Sequence, residues 1–238
     1  MEIGLPASLE GTSRALSINA LLIVVGLFST TVVAAFGIGT RVFSVIFLPA
    51  IAVARGVETM SGQNIGAGKY DRAEQANYLA AKGLFVVLGL MGMAIFLVPQ
   101  PIVAVFSDDP VVVAEGATFL RYVSLSFGFI GIMRAFTGGF RGAGKTLIAA
   151  AISVVTLAGI RLPIAYIASQ YRLPIPFGDA LFGVRGIWIA FFVPNIAGAT
   201  IAWLWFRRGT WHEGDVRGPA GTGDAASEGE FEVPSIDD

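Results

Sequence analysis

The chain has 238 residues, 55% of them hydrophobic and 14% charged, and its mean hydropathy is +0.72. Soluble domains average about 25% charged residues, so this composition excludes an ordinary soluble protein and points to an integral membrane protein. Cysteine is absent and His212 is the lone histidine, which argues against disulfides, thiolate metal sites and Cys or His catalytic dyads.

The sequence therefore predicts no enzyme, no cofactor and no metal, and nothing in it suggests nucleic acid as a partner. The net charge of −1 conceals a split: residues 209–238 hold 8 of the 17 acids but, of the 16 Lys and Arg, only Arg217. The apolar part is basic and the tail is acidic.

A membrane helix needs ~20 mainly apolar residues to cross ~30 Å of hydrocarbon. Six stretches qualify, at 6–29, 34–60, 76–98, 112–137, 147–169 and 184–206. The expected fold is all-α: an integral membrane bundle of six transmembrane helices over residues 1–208, followed by an acidic, disordered tail over 209–238 with little to bury.

The first span opens at Pro6, where a missing N–H is harmless. Glu10 and Arg14 follow four apart and can pair, and Ser13, Ser17 and Asn19 extend a polar stripe that should face protein or water. In the second span, Pro49 removes the donor for the Val45 carbonyl, and Arg55 and Glu58 can pair. The segment 61–72 then reads as a polar, glycine-rich loop: Gly62, Gln63, Asn64, Gly66, Ala67 and Gly68 lead to Lys69.

Asp71 and Glu74 have capping-box spacing and predict the third helix start. That helix ends at Val98-Pro99-Gln100-Pro101. Asp109 as N-cap with Pro110 at N1 starts the fourth span, which carries Arg121 and Arg134 and runs into Arg141-Gly142-Ala143-Gly144-Lys145. The fifth span carries Arg161 and Pro163. The sixth has Pro194-Asn195 at its middle and ends at Arg207-Arg208.

Loop charge orients the bundle. Lys69, Arg72, Arg141, Lys145, Arg207 and Arg208 fall on one side, with only Arg172 and Arg185 on the other. Positive charge favours the cytoplasmic side, so both termini are expected in the cytoplasm, and the plasma membrane is the expected location.

Three motifs need weighing. Gly139 to Thr146 satisfies the P-loop pattern, but that pattern requires a strand before it; here membrane-length helices flank it, which favours a tight basic turn. Gly62-x-x-x-Gly66 and Gly138-x-x-x-Gly142 match the small-residue packing motif, yet their place at helix ends suggests turns first and packing second. Gly66-Ala67-Gly68-Lys69 recurs as Gly142-Ala143-Gly144-Lys145, a short internal similarity between two turns.

Charges at membrane depth cost ~2.5–3.5 kcal/mol each on insertion scales. Glu10 is a candidate proton or cation carrier, with a solvated or Arg14-paired carboxylate as the plainer alternative. Arg41, Arg55 and Arg134 can snorkel from near helix ends. Pro49, Pro163 and Pro194 are expected to break three helices, either as simple packing kinks or as hinges beside a cavity. Asn195 can offer both donor and acceptor to a ligand. Ser17, Asn19 and Arg161 complete the candidate substrate and ion set.

The strings Val33-Ala34-Ala35-Phe36-Gly37-Ile38-Gly39, Phe47-Leu48-Pro49-Ala50, Gly62-Gln63-Asn64-Ile65-Gly66-Ala67-Gly68, Phe140-Arg141-Gly142-Ala143-Gly144, Arg161-Leu162-Pro163 and Gly186-Ile187-Trp188 together resemble the MATE (multidrug and toxic compound extrusion) family. The resemblance covers residues 3–208 in consistent order. It implies a secondary transporter that exchanges cationic drugs for Na⁺ or H⁺, built from two six-helix lobes related by an axis along the membrane normal. This chain looks like the second lobe, so a first lobe or a second copy is the implied partner, beside the bilayer and a small organic cation.

Two positions depart from the family pattern. Arg14 stands where some branches place a carboxylate, with Glu10 one turn earlier, and Ile130 stands near an acidic position of the tenth helix. The cation site of those branches is not carried over. A lipid-linked oligosaccharide flippase is the rival transporter, since buried Arg121 and Arg161 could meet phosphates. A P-loop regulatory membrane protein and an inactive truncated lobe are the remaining readings.

Overall fold

The computed structural model describes residues 4–170 and 183–212, with backbone alone for residues 4–10, 13 and 14. Every regular element among the described residues is helical. Helix α1 spans Gly4–Val25, α2 Thr30–Gly66, α3 Tyr70–Leu97, α4 Pro99–Ala104, α5 Pro110–Ser124 and α6 Phe127–Gly142. Helix α7 spans Thr146–Val154 and passes through a π-helical segment, Val155–Arg161, into α8, Leu162–Gln170; α9 spans Val184–Arg207.

The predicted spans map onto α1, α2, α3, the α5–α6 pair, the α7–α8 rod and α9. Four of these are individually long and apolar enough to cross a membrane: α2, α3, the α7–α8 rod and α9. The α5–α6 pair passes as a fifth, bent by 48°, and α1 contributes the shorter apolar run Ala15–Val25.

Helix α6 is the centre of the bundle, packed against α2, α3, α9 and α7. It can occupy that place because it is thin. A Cβ on Gly138 would lie 2.6 Å from the Ala54 carbonyl oxygen, and one on Gly142 would strike the Glu58 carbonyl oxygen, both on α2. On the other side, Gly128 and Gly131 meet Phe85 and Leu84 of α3, and Gly139 lies against the Asn77 side chain. Backbone contact of this kind is how helices associate where no water drives them together. The glycines at 138 and 142 therefore pack first and turn second, reversing the sequence-based order. Gly66 has nothing near its Cβ position and plays no packing role.

The segment expected as a loop at 61–72 is mostly helix. At 37 residues, α2 is ~55 Å long, well beyond the ~30 Å of hydrocarbon, so its polar end projects from the membrane and carries Gly62, Gln63, Asn64 and Gly66 with it. Only Ala67–Lys69 turn. Gly68 at φ 71° puts its N–H on the Ile65 carbonyl (2.9 Å), and Lys69 reaches the Asn64 carbonyl (2.7 Å).

The second turn repeats this in each detail. Gly144 has φ 74°, its N–H meets Arg141 O at 3.0 Å, and the Lys145 N–H meets Phe140 O at 2.8 Å. Both are Schellman caps, in which glycine is the residue that tolerates the left-handed conformation. The GAGK repeat is thus one helix-ending device used twice.

Other local expectations divide. Asp109 caps α5, accepting from Val111 N at 2.8 Å and Val112 N at 3.4 Å. Arg55 pairs with Glu58 at 3.2 Å on the surface. The Asp71–Glu74 box does not form: α3 begins at Tyr70 with Lys69 as N-cap and no side-chain cap, because the Schellman turn has already set the chain direction. Helix α4 was missed, being a single apolar turn begun by Pro99.

Packing continues past Arg208. Trp211 is buried and stacks on Phe206 with centroids 4.9 Å apart, and its indole donates to the Phe206 carbonyl at 3.1 Å. Tyr70 contacts both Trp211 and His212, so the chain end is pinned to the start of α3. Residues 213–238, which hold most of the expected tail, lie outside the described residues, as does Arg172.

Candidate functional site

The expected proline breaks are placed differently by the structure. Helices α2 and α9 continue through Pro49 and Pro194, and Pro163 sits in the first turn of α8, just after the π-helical segment. Among the described residues, the sharp bend between helices of one span falls at Leu125–Ser126, where there is no proline. It is held by side-chain chemistry: the Ser126 hydroxyl donates to the Val123 carbonyl at 2.7 Å, and the Ser126 N–H meets the same oxygen at 3.0 Å. Gly92 of α3 lets the kinked backbone approach, since a Cβ there would collide with the Ser124 carbonyl.

Two irregularities and a helical proline position converge. The bend presents Ser126, the π-helical segment ends in Arg161, and the Pro194 position is followed by Asn195. Arg161 Nη2 donates to Asn195 Oδ1 at 3.3 Å, Asn195 Nδ2 donates to Ser126 Oγ at 2.8 Å, and the Ser126 hydroxyl donates to the Val123 carbonyl. The Asn195 amide accepts from Arg161 through its oxygen and donates to Ser126 through its nitrogen, which fixes its orientation. All three side chains are buried. The Arg161 guanidinium also lies 4.8 Å from the Phe191 ring centroid, a contact that grows stronger where water is excluded.

Depth gives the row its meaning. Ser126 is midway along the α5–α6 span, Asn195 is midway along α9, and Arg161 lies in the middle third of the α7–α8 rod. The row therefore sits near the bilayer centre. Irregular helical backbone at that depth is tolerated where it is enclosed by protein, and an ionisable side chain there is a candidate functional group. Beside it, Phe36, Phe119, Trp188 and Phe191 pack ring on ring, with Phe119 filling the space that Gly39 leaves open. The Trp188 indole donates to Glu115 at 3.2 Å.

Of the residues chosen from sequence, Arg161 and Asn195 meet in this row. Ser126 was missed, because serine at a bend carries no pattern. Ser17 is buried, whereas Asn19 is exposed and bonds back to the Ala15 carbonyl of its own turn at 2.9 Å. The stripe drawn through both is not one face, since residues two apart on a helix diverge. The Glu10 and Arg14 side chains lie outside the described residues; α1 itself packs on α7, the π-helical segment and α8. Arg121 is exposed, so it is not the second buried arginine that the flippase reading used. Arg134 is half-buried, 5.3 Å from the Phe47 ring centroid.

Gly139 to Thr146 cannot cradle a phosphate. The N–H groups of Ala143, Gly144 and Lys145 are spent on Gly139 O, Arg141 O and Phe140 O, whereas a P-loop leaves its amides open to the ligand.

These features define a class: a multi-pass helical membrane protein whose spans are irregular where they meet a shared polar row at mid-depth. Comparison with known proteins narrows the class. The profile of the MatE family matches residues 6–167, and the chain belongs to that family, whose members are transporters rather than enzymes. The probable multidrug resistance protein YpnP of Bacillus subtilis is 26% identical over 211 residues, covering 89% of this chain and 45% of that protein. The FAD transporter of Shewanella oneidensis is 26% identical over 194 residues, covering 82% and 41%. A crystal structure of a mutant of the Vibrio cholerae MATE transporter VcmN superposes with a TM-score of 0.80 at 21% identity, covering 89% of this chain and 47% of that one. The chain thus spans less than half the length of these relatives.

Proposed function

We propose that this chain acts as one six-helix lobe of an ion-coupled efflux antiporter, moving small organic cations, drugs among them, out of the cell in exchange for Na⁺ or H⁺. The observation that carries the reading is the convergence of a bend, a π-helical segment and a proline position on the row Ser126–Asn195–Arg161. A row shared by three spans can be repacked when they shift, which alternating access by rocking lobes requires. The lobe works against a first six-helix lobe or a second copy of itself, which supplies the other wall of the cavity. Glu10 and Ser17 on α1 are the coupling candidates of this lobe.

The basic turns support a cytoplasmic placement of one end. Tyr70 meets Trp211, and a Cβ on Gly62 would lie 3.2 Å from the Gly142 carbonyl oxygen, so the turns after α2 and α6 and the end of α9 share one face of the bundle. Excess Lys and Arg on one face favours the cytoplasm, and the acidic tail leaves from there.

The test is efflux of a fluorescent organic cation from vesicles holding this chain with a matching first lobe, driven by a Na⁺ or H⁺ gradient. Asn195→Ala should slow efflux at least about tenfold, the effect of losing ~1.4 kcal/mol at a polar row. Glu10→Gln should remove the dependence on one of the two gradients. Efflux at the original rate in both variants would refute the assignment.

A second reading has specific support. The mid-depth row is headed by a buried cation, and one relative is named an FAD transporter. A cargo bearing phosphate, such as FAD or a lipid-linked oligosaccharide, would meet Arg161 more favourably than a cation would. Uptake of labelled FAD into the same vesicles, with no movement of the organic cation, would replace the first reading by this one.

A further inference from the structure

A groove of about 450 Å³ runs between α3, α6 and α9. Its floor is apolar: Phe85, Phe129, Ile132 and Phe136. The floor is preformed by ring contacts, Phe85 edge-on to Phe129 at 5.6 Å and Tyr78 edge-on to Phe136 at 5.4 Å. Lys82 and Trp203 stand at its edges. A second cavity of about 440 Å³ adjoins it, sharing Tyr78 and Lys82 and adding Asp71 and Glu74.

The depth of these residues follows from helix length. With 28 residues, α3 is ~42 Å long, ~12 Å more than the hydrocarbon. Its polar first two turns, Tyr70 to Asn77, account for that excess, so the hydrocarbon begins near Tyr78. Lys82 starts one turn inside it. Helical side chains lean toward the N-terminus, so the ammonium reaches back to the level of the lipid phosphates. Trp203, one turn from the end of α9, lies at the same level, where aromatic rings anchor. Arg207 covers its ring at 4.6 Å and adds a second cation to the rim. Lys82 makes no ion pair among the described residues.

Read from the membrane outward, the order is apolar groove, then Lys82, then the carboxylates of Glu74 and Asp71. That is the order of an acyl chain, a phosphate and an ammonium group. Glu74 is two turns below Lys82, ~12 Å along the helix, enough to seat an ethanolamine phosphate between them. A glycerol headgroup can donate hydroxyl hydrogen bonds but brings no positive charge to the carboxylates, and a choline cannot donate hydrogen bonds to them.

We infer that this groove is a binding site for phosphatidylethanolamine, with one acyl chain against Phe85, Phe129 and Ile132, the phosphate on Lys82 and the ammonium on Glu74 and Asp71. The site depends on neither the cargo nor the coupling ion.

The test is native mass spectrometry of the full chain in detergent, with phosphatidylethanolamine, phosphatidylcholine and phosphatidylglycerol of matched chains added in equal amounts. One phosphatidylethanolamine should stay bound under activation that strips the other two. Lys82→Gln should lower its retention about fivefold, the effect of one interfacial charge on a lipid phosphate. Glu74→Gln together with Asp71→Asn should equalise ethanolamine and choline lipids. Ile132→Trp, which fills the groove, should abolish retention, and a circular dichroism spectrum like that of the parent will show that the variant is folded. Equal retention of the three lipids, unchanged retention in Lys82→Gln, or a dimer whose cross-links occupy the groove would each overturn the assignment.

Discussion

Gly66 and Gly142 occupy the same position of the same helix cap, and each opens a Gly-Ala-Gly-Lys string. A change to alanine therefore gains the same helix propensity at both, about 0.5–1 kcal/mol. Beyond the shared Gly-Ala-Gly-Lys string the sequences and the surroundings differ. A Cβ at Gly66 meets open space, whereas one at Gly142 strikes the Glu58 carbonyl oxygen and comes within 2.8 Å of Ser61 Cβ. The obstacle at Gly142 is backbone, which cannot swing aside, so the overpacking cost belongs in the upper part of the usual range, about 2–3 kcal/mol. Propensity cancels between the two variants, and the difference between them is the packing cost itself. At about 2–4 °C per kcal/mol for a chain of this size, Gly142→Ala should melt about 4–12 °C below Gly66→Ala. Thermal loss of the monodisperse peak in detergent measures this directly. Two variants that melt together would show that α6 does not lie against α2 as described.

Asn195→Ala should destabilise the bundle by about 1–3 kcal/mol, two buried hydrogen bonds at membrane values, read as a lowered midpoint in denaturant; an unchanged midpoint would mean that the row is not formed. Trp211→Ala should free the chain end from Tyr70 and Phe206, speeding tryptic cleavage after Arg207 and Arg208 at least about tenfold, as loss of a buried tryptophan implies. Millimolar ATP should bind neither the parent nor Lys145→Ala, because the turn amides are already bonded; binding that vanishes in the variant would revive the P-loop reading.

Composition and apolar run length settled the solvent. A chain this poor in charge has no soluble fold that hides so much apolar surface, and once the solvent is lipid, backbone satisfaction leaves a helical bundle. Turn chemistry was equally local: Asp109 before Pro110 and the two GAGK turns act through neighbours a few residues away, so their roles could be read from the chain. Arg161 and Asn195 could be nominated because a charge or an amide at membrane depth is costly anywhere.

What stayed hidden depends on distance in space. That Arg161 meets Asn195, 34 positions later, and that Ser126 completes the row follow only from how three spans cross. The same holds for the glycines: Gly62, Gly66, Gly138 and Gly142 look alike in the sequence, and only the approach of α2 to α6 separates packing surface from turn. The bend at Ser126 had no proline to announce it, and Trp211 had no visible reason to fold back until Tyr70 and Phe206 were beside it. Local rules decide where a helix starts and stops, but only the close packing of one helix on another decides which of its residues matter.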